Sequence, residues 1–204
     1  MAGVSKSVDK SERVRMFVAV DLPKMVREDI SDWADSALDD PAFRRVPPES
    51  LHATLAFLGN RPLSDVERIE EAIEEVASVP LFLELGGPVG RPSRGRPRLV
   101  ALPVQFTRPV VMRQAELAEI LAFGGLYKPE ERPFWPHVTV ARVRAEGDGS
   151  LQSIPVTIPS GPPPTERIGF FRGVRISLYR SELQSSGARY VPLAQIELPG
   201  AGWQ

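Results

Sequence analysis

Residues 51–58 read LHATLAFL and residues 137–143 read HVTVARV, and these two stretches hold the only histidines of the chain. In both, threonine follows histidine at a distance of two, which for both of two histidines is a chance event of about one in a thousand or rarer. A short apolar run with this alternation reads as a strand, where residues i and i+2 share a face. His52 and Thr54 therefore point one way, as do His137 and Thr139. Leu51, Ala53, Leu55 and Phe57, with Val138 and Val140 in the second strand, turn to the opposite face and pack on the core. Placed side by side, two such strands present two imidazoles and two hydroxyls to one concave surface.

Outward from these strands the two halves echo each other. Before the first lie a polar stretch without apolar period, residues 1–13, read as a mobile tail, and a β-branched run Val14 to Val20 read as a buried strand. Lys24 to Leu38 repeats apolar residues at helical spacing and reads as an amphipathic helix behind Pro23. After Gly59-Asn60, which should end the first histidine strand, Ser64 and Glu67 form a capping-box pattern for a second helix that Pro80 stops. Leu81 to Leu85 and Arg98 to Val104 read as strands. The intervening GGPVGRPSRGRPR is too rich in Gly and Pro for regular structure. A third helix, from about Pro109 to Phe123 with Val111, Ala115, Ala118 and Ala122 on its face, precedes the second histidine strand. A loop containing GPPPTER and strands over Ile168 to Tyr179 and Arg189 to Leu198, turned at Ser186-Gly187, complete the chain. This order predicts an α+β fold of two lobes related by pseudo-twofold duplication, with residues 14–204 as one domain.

The 204 residues are 42% hydrophobic and 25% charged, enough for a full core without metal or disulfide staples. The absence of cysteine excludes zinc ribbons, iron–sulfur clusters and a thiol nucleophile. The start MAGVSKSVDKSERVR lacks the apolar segment of a secretory signal, so a cytoplasmic protein is expected. At a net charge of −1, an anionic partner has to be held by local clusters. Lysine occurs only at Lys6, Lys10, Lys24 and Lys128, so those clusters are built from arginine, whose planar fork suits phosphate.

Imidazole titrates near neutrality, so one neutral histidine can take a proton while a protonated partner gives one. Threonine hydroxyls beside them can donate to the nonbridging oxygens of a phosphate during in-line displacement. No cofactor is called for, and two histidines 85 positions apart supply too few ligands for a metal.

The paired HxT motifs, with the segments RMFVAVDLP, LHATLAFLG, FWPHVTVAR and LYRSELQSSGARYVPL, resemble the two-histidine phosphoesterase superfamily. The likeness is to its RNA 2′,3′-cyclic phosphodiesterases, also called the 2′-5′ RNA ligase family. The resemblance implies a bilobal fold with antiparallel-rich sheets flanked by helices around a central groove. It also implies metal-independent opening of an RNA 2′,3′-cyclic phosphate to a 2′-phosphomonoester. By position, the catalytic histidines fall on His52 and His137, the phosphate-binding threonines on Thr54 and Thr139, and the phosphate-binding arginine on Arg142. The expected partner is RNA carrying that end, bound by a monomer without membrane or metal.

Arg142 sits awkwardly in this scheme, because strict alternation turns it to the core face with Val138 and Val140. Its implied role requires the strand to end or bulge near Ala141, or the guanidinium to reach round the edge. Arg94 and Arg96, in the Gly/Pro-rich loop, are candidates for upstream RNA phosphates, and Trp135 for stacking on a base. Two alternatives stay open on the residues alone. One is a phosphodiesterase for small cyclic nucleotides or 2′-5′ linkages; the other is a noncatalytic RNA-end-binding module.

Overall fold

The computed structural model describes residues 11–105, 108–145, 147, 153–161, 170–184 and 187–200. Of the expected tail, only the last three residues are among them. Glu12 accepts a hydrogen bond from the backbone of Leu63, and Arg13 already begins the first strand.

Strand β1 (Arg13–Asp21) is followed by helix α1 (Lys24–Ala37), which buries Val26, Ile30 and Ala34. A short strand β2 (Phe43–Arg45) interrupts the proline-marked loop before β3 (His52–Pro62). β3 does not stop at Gly59 as expected. That glycine takes a φ of 71° beside a register shift, and the bulge lets pairing with β1 continue to Pro62. Helix α2 (Val66–Val76) is capped at Asp65 and not at Ser64, because a single 3-10 turn comes first. The Asp65 carboxylate is held by Arg61 at 2.6 Å.

Strands β4 (Phe82–Leu85), β5 (Val89–Arg91) and β6 (Leu99–Gln105) come next. β5 lies inside the segment whose composition argued against regular structure. Pairing with β6 overrides that local preference over three residues, flanked by Pro88 and Pro92. Helix α3 (Arg108–Phe123) buries Val110, Leu117 and Leu121 in place of the expected face at Val111, Ala115, Ala118 and Ala122. The larger side chains take the core, leaving Ala118 to line a cavity beside β3.

After β7 (His137–Val143) come β8 (Phe171–Arg172), β9 (Arg175–Gln184) and β10 (Gly187–Glu197). The expected strand from Ile168 to Tyr179 is thus divided at Gly173-Val174, and its first two residues lie outside the described ones. So do Ser186 of the expected turn and, apart from Gly161, the GPPPTER loop.

All strand pairs are antiparallel, in the order β10-β9-β1-β3-β7-β6-β4-β8, with β2 beside β7 and β5 beside β6. The two halves of this order meet at a single residue pair, Ala53 with Val138. Helices cross the divide: α1, which follows β1, touches β7, while α3, which follows β6, touches β3. One core cluster runs through both lobes. Among the described residues no helix is long and apolar enough to cross a membrane.

Candidate active site

The Ala53–Val138 pair is the pivot of the site. Each of these residues directly follows a histidine, and the strands are antiparallel, so the register brings His52 towards Thr139 and Thr54 towards His137. A local twofold axis passes between Ala53 and Val138. All four polar side chains are half-buried on one face, whereas Ala53, Leu55, Val138 and Val140 are buried on the other.

Both strands break alternation at the same place. Between β1 and β3, Ala19 pairs with Thr54 and Val18 with Ala56, leaving Leu55 as an extra residue. Between β6 and β7, Ala101 pairs with Thr139 and Val100 with Ala141, leaving Val140 extra. The unladdered carbonyls are satisfied from outside, that of Leu55 by the Gln114 side chain at 3.3 Å and that of Val140 by the Val46 N–H at 2.8 Å. A bulge of one residue reverses the side-chain phase beyond it. Ala56 and Ala141 are therefore buried, and the next residues, Phe57 and Arg142, emerge on the histidine face. This corrects the expected position of Phe57 on the core face; it is 51% exposed. It also decides how Arg142 reaches the histidine face, by a bulge and not by reaching round an edge.

The imidazoles are held alike. Nδ1 of His52 bonds the carbonyl oxygen of Ser50, and Nδ1 of His137 that of Trp135, each at 2.8 Å. A carbonyl only accepts, so each Nδ1 carries the hydrogen, and Nε2 is left to take or give the second proton. Burial pushes the His52 pKa down to about 4 against the raising effect of the Ser50 bond, and a positive charge on His137 would lower it further. His137 is also lowered, chiefly by burial, with the Trp135 bond opposing and the Arg91 charge adding. Both rings are thus neutral near pH 7 in the free protein.

Each ring also rests on an aromatic one. His52 stacks on Phe17 at 4.9 Å and meets Tyr190 edge-on at 5.1 Å, while His137 stacks on Trp135 at 4.1 Å. Arg91 lies over the Trp135 ring at 4.2 Å. Tyr179, itself stacked on Phe17, donates its hydroxyl to Asp21 at 2.7 Å. Asp21 also accepts from Ser177 at 2.8 Å and lies 3.3 Å from Arg175. Burial nonetheless raises the Asp21 pKa, the hydrogen bonds from Tyr179 and Ser177 and the arginine charges only partly offsetting it. Trp135 is the one of these rings that the sequence offered for stacking; it did not single out the set around His52. Its members come from β1, β9 and β10, far apart in the chain and joined only by pairing.

A cavity of about 140 Å³ is bounded by His52, Asp21, Arg175, Tyr179 and Tyr190, and two larger ones lie along the histidine face. One, of about 380 Å³, is bounded by Thr54, Phe57, Tyr127, Phe134, Trp135 and His137. The other, of about 540 Å³, is bounded by Ser50, Tyr179 and Tyr190 and by four arginines, Arg44, Arg45, Arg142 and Arg189. Arg44 is directly opposite Arg142 in the β2–β7 pairing, where like charges repel unless an anion bridges them. Arg94 and Arg96 line neither cavity; Arg96 donates to the Ser153 carbonyl at 3.3 Å. Among the described residues no group of three or more His, Asp or Glu side chains gathers as a metal site.

Two bulged strands, related by a twofold axis and each delivering an imidazole and a hydroxyl to one groove, define a two-histidine phosphoesterase. More narrowly, the chain belongs to the 2′-5′ RNA ligase superfamily, whose family model matches residues 22–179. It is 31% identical to the RNA 2′,3′-cyclic phosphodiesterase of Escherichia coli, over 90% of this chain and 96% of that one. To the RNA 2′,3′-cyclic phosphodiesterase of Methanothermobacter thermautotrophicus it is 30% identical, over 91% and 100%. Among solved structures, E. coli LigT complexed with 3′-AMP matches with a TM-score of 0.71 at 28% identity, covering 92% of this chain and 99% of that one.

Proposed function

We propose that this protein hydrolyses 2′,3′-cyclic phosphate ends of RNA to 2′-phosphomonoesters, with its own side chains as acid, base and phosphate donors. The observation that carries the reading is the pair of imidazoles whose Nδ1 hydrogens are tied back to the main chain, leaving two Nε2 atoms beside two hydroxyls. Relatives that this chain covers almost end to end are RNA 2′,3′-cyclic phosphodiesterases, which supports the choice of substrate.

The free site holds two neutral imidazoles. An anionic diester between them favours protonation, so binding charges one ring. We assign that ring to His52. Neutral His137 takes a proton from water as the water oxygen bonds to phosphorus. The P–O3′ bond breaks in line, and O3′ receives the Nε2 proton of His52. Thr54 and Thr139 donate to the nonbridging oxygens, and the Arg142 fork neutralises charge that develops there. The aromatic cavity at Trp135 suits the terminal base. Arg44 and Arg189, beside Arg142, suit phosphates upstream, with the Arg94 and Arg96 loop as a more distant contact.

The test is to incubate the protein with an oligoribonucleotide bearing a 2′,3′-cyclic phosphate in the presence of EDTA and to identify the product end. A 2′-phosphate formed at an EDTA-independent rate is expected. An unopened ring, or a 3′-phosphate product, overturns the reading.

A further inference from the structure

The two imidazoles are tethered alike but supported differently. His52 lies among Phe17, Tyr179 and Tyr190, rings that the pairing of β1, β9 and β10 holds in place. His137 rests on Trp135, a half-buried ring in the segment between α3 and β7 that belongs to no strand or helix. What holds this indole is Arg91. Its guanidinium carbon stands 4.2 Å from the ring centre, and the His137 ring stands 4.1 Å away at 17° from parallel. Two flat groups this close to one ring would collide on a shared face, so they lie on opposite faces. Arg91, Trp135 and His137 form a stack of three layers. Trp135 accordingly meets the neighbouring cavity by its edge, with neither face open to a base.

Arg91 ends β5, where it pairs with Leu99 and its carbonyl accepts from the Arg98 N–H at 2.6 Å. Its side chain makes no hydrogen bond or ion pair among the described residues, so the indole face is what engages the guanidinium. We infer that Arg91 is a positioning residue for His137 and acts through the Trp135 ring. Attraction of the cation to the indole pins the ring. The pinned ring fixes the plane of the imidazole while the bond from Nδ1 to the Trp135 carbonyl fixes its rotation, so Nε2 is aimed at one place.

The charge of Arg91 also bears on His137. The other titratable or charged groups around this ring are His52 on β3, Arg142 on β7, and Tyr127, Glu130 and Arg132 about the shared cavity. Burial lowers the His137 pKa most, and it is the Arg91 charge that lowers it further.

The inference rests on the proposed function only where rates are concerned, and the experiment has an arm for each. The chain has two histidines, so its proton NMR spectrum holds two sets of imidazole resonances, assigned with His52→Ala. Titration then gives the His137 pKa directly in the native protein, Arg91→Gln and Arg91→Lys. Loss of the charge should raise it, whereas lysine, which keeps a cation over the ring, should leave it near native. With a nucleoside 2′,3′-cyclic phosphate as substrate, Arg91→Gln should lower kcat by about 3- to 30-fold at a KM within about twofold of native. Arg91→Lys should regain most of that loss. In a Trp135→Leu background the same Arg91→Gln substitution should change kcat by less than about twofold, because the ring through which it acts is gone.

Thermal unfolding checks that every variant is folded. A loss confined to KM, or an equal loss of kcat in both backgrounds, means that Arg91 meets the substrate directly, and the inference fails. A native kcat or an unmoved His137 pKa in Arg91→Gln overturns it as well. A native protein that leaves the cyclic phosphate unopened sinks the proposed function instead, and the His137 titration still decides the stack.

Discussion

The hydrogen bond from Nδ1 to the carbonyl two residues back leaves each histidine only Nε2 for proton exchange, so under the proposed mechanism removing either ring should stop proton traffic without disturbing the fold. His52→Ala and His137→Ala are each expected to lower turnover by about two to four orders of magnitude at an unchanged melting temperature. Near-native turnover in either variant would remove that ring from the mechanism. The His52 pKa also has a cost in stability. Between its ordinary 6.5 and about 4, the unfolded chain holds a proton that the native chain lacks. Stability is therefore full above pH 6.5 and falls as the pH drops through that window, by about 3 kcal/mol for this group. Urea unfolding at pH 7 and pH 4 should show His52→Gln losing less on acidification than the native protein by about that amount. Arg142→Ala should weaken transition-state binding by about 2 to 4 kcal/mol in kcat/KM, and Arg142→Lys should recover only part, since a point charge lacks the planar fork. Unchanged kcat/KM in Arg142→Ala would make it a surface arginine.

At the scale of elements, the bulges give the site its third face position. Deleting Val140 removes the extra residue without changing the phase, because His137, Thr139 and Arg142 then alternate strictly with Val138 and Ala141 and stay on the histidine face. That deletion should therefore keep more turnover than Arg142→Ala does, and lower the melting temperature more, since it takes a buried side chain from the core. Val140→Ala, which keeps the bulge and only trims two methyl groups, should cost about 1 to 3 kcal/mol of stability and leave kcat within a few fold. Activity and thermal unfolding on the three variants decide it; a deletion variant no more active than Arg142→Ala would mean that Arg142 needs the bulge for more than its phase. The sequence posed this problem without solving it. HVTVAR and LHATLAF read as alternating strands, and nothing local distinguishes a residue that pairs from one left out of a ladder.

At the scale of the molecule, the lobes touch at Ala53–Val138 and are tied again where the chain passes from β8 in one lobe to β9 in the other. Gly173 lies at that crossing. A Cβ there would stand 2.5 Å from Val20, 3.2 Å from Leu198 and 3.4 Å from Leu83. Gly173→Ala should therefore cost about 1 to 3 kcal/mol of stability. It should also lower kcat/KM, because the strain falls between the lobes that carry the two histidines. A variant with native stability would show that the lobes move apart there freely.

The sequence by itself determined the chemistry and the duplication. His52, Thr54, His137 and Thr139 share a face because a strand has a period of two, and that holds before any partner is known. It also located the three helices, whose apolar spacing is local, though not which face of α3 is buried. Tertiary pairing decided the rest. β2 and β5 exist because β7 and β6 offer them a ladder, in spite of their proline-marked flanks. Asp21, Tyr179 and Tyr190 reach the first histidine only through pairing of β1, β9 and β10. Arg142 emerges on the histidine face, and Phe57 is its twofold mate, because one residue in each strand is left out of register with a neighbour. Register belongs to two chain segments at once, so neither segment's sequence could state it alone.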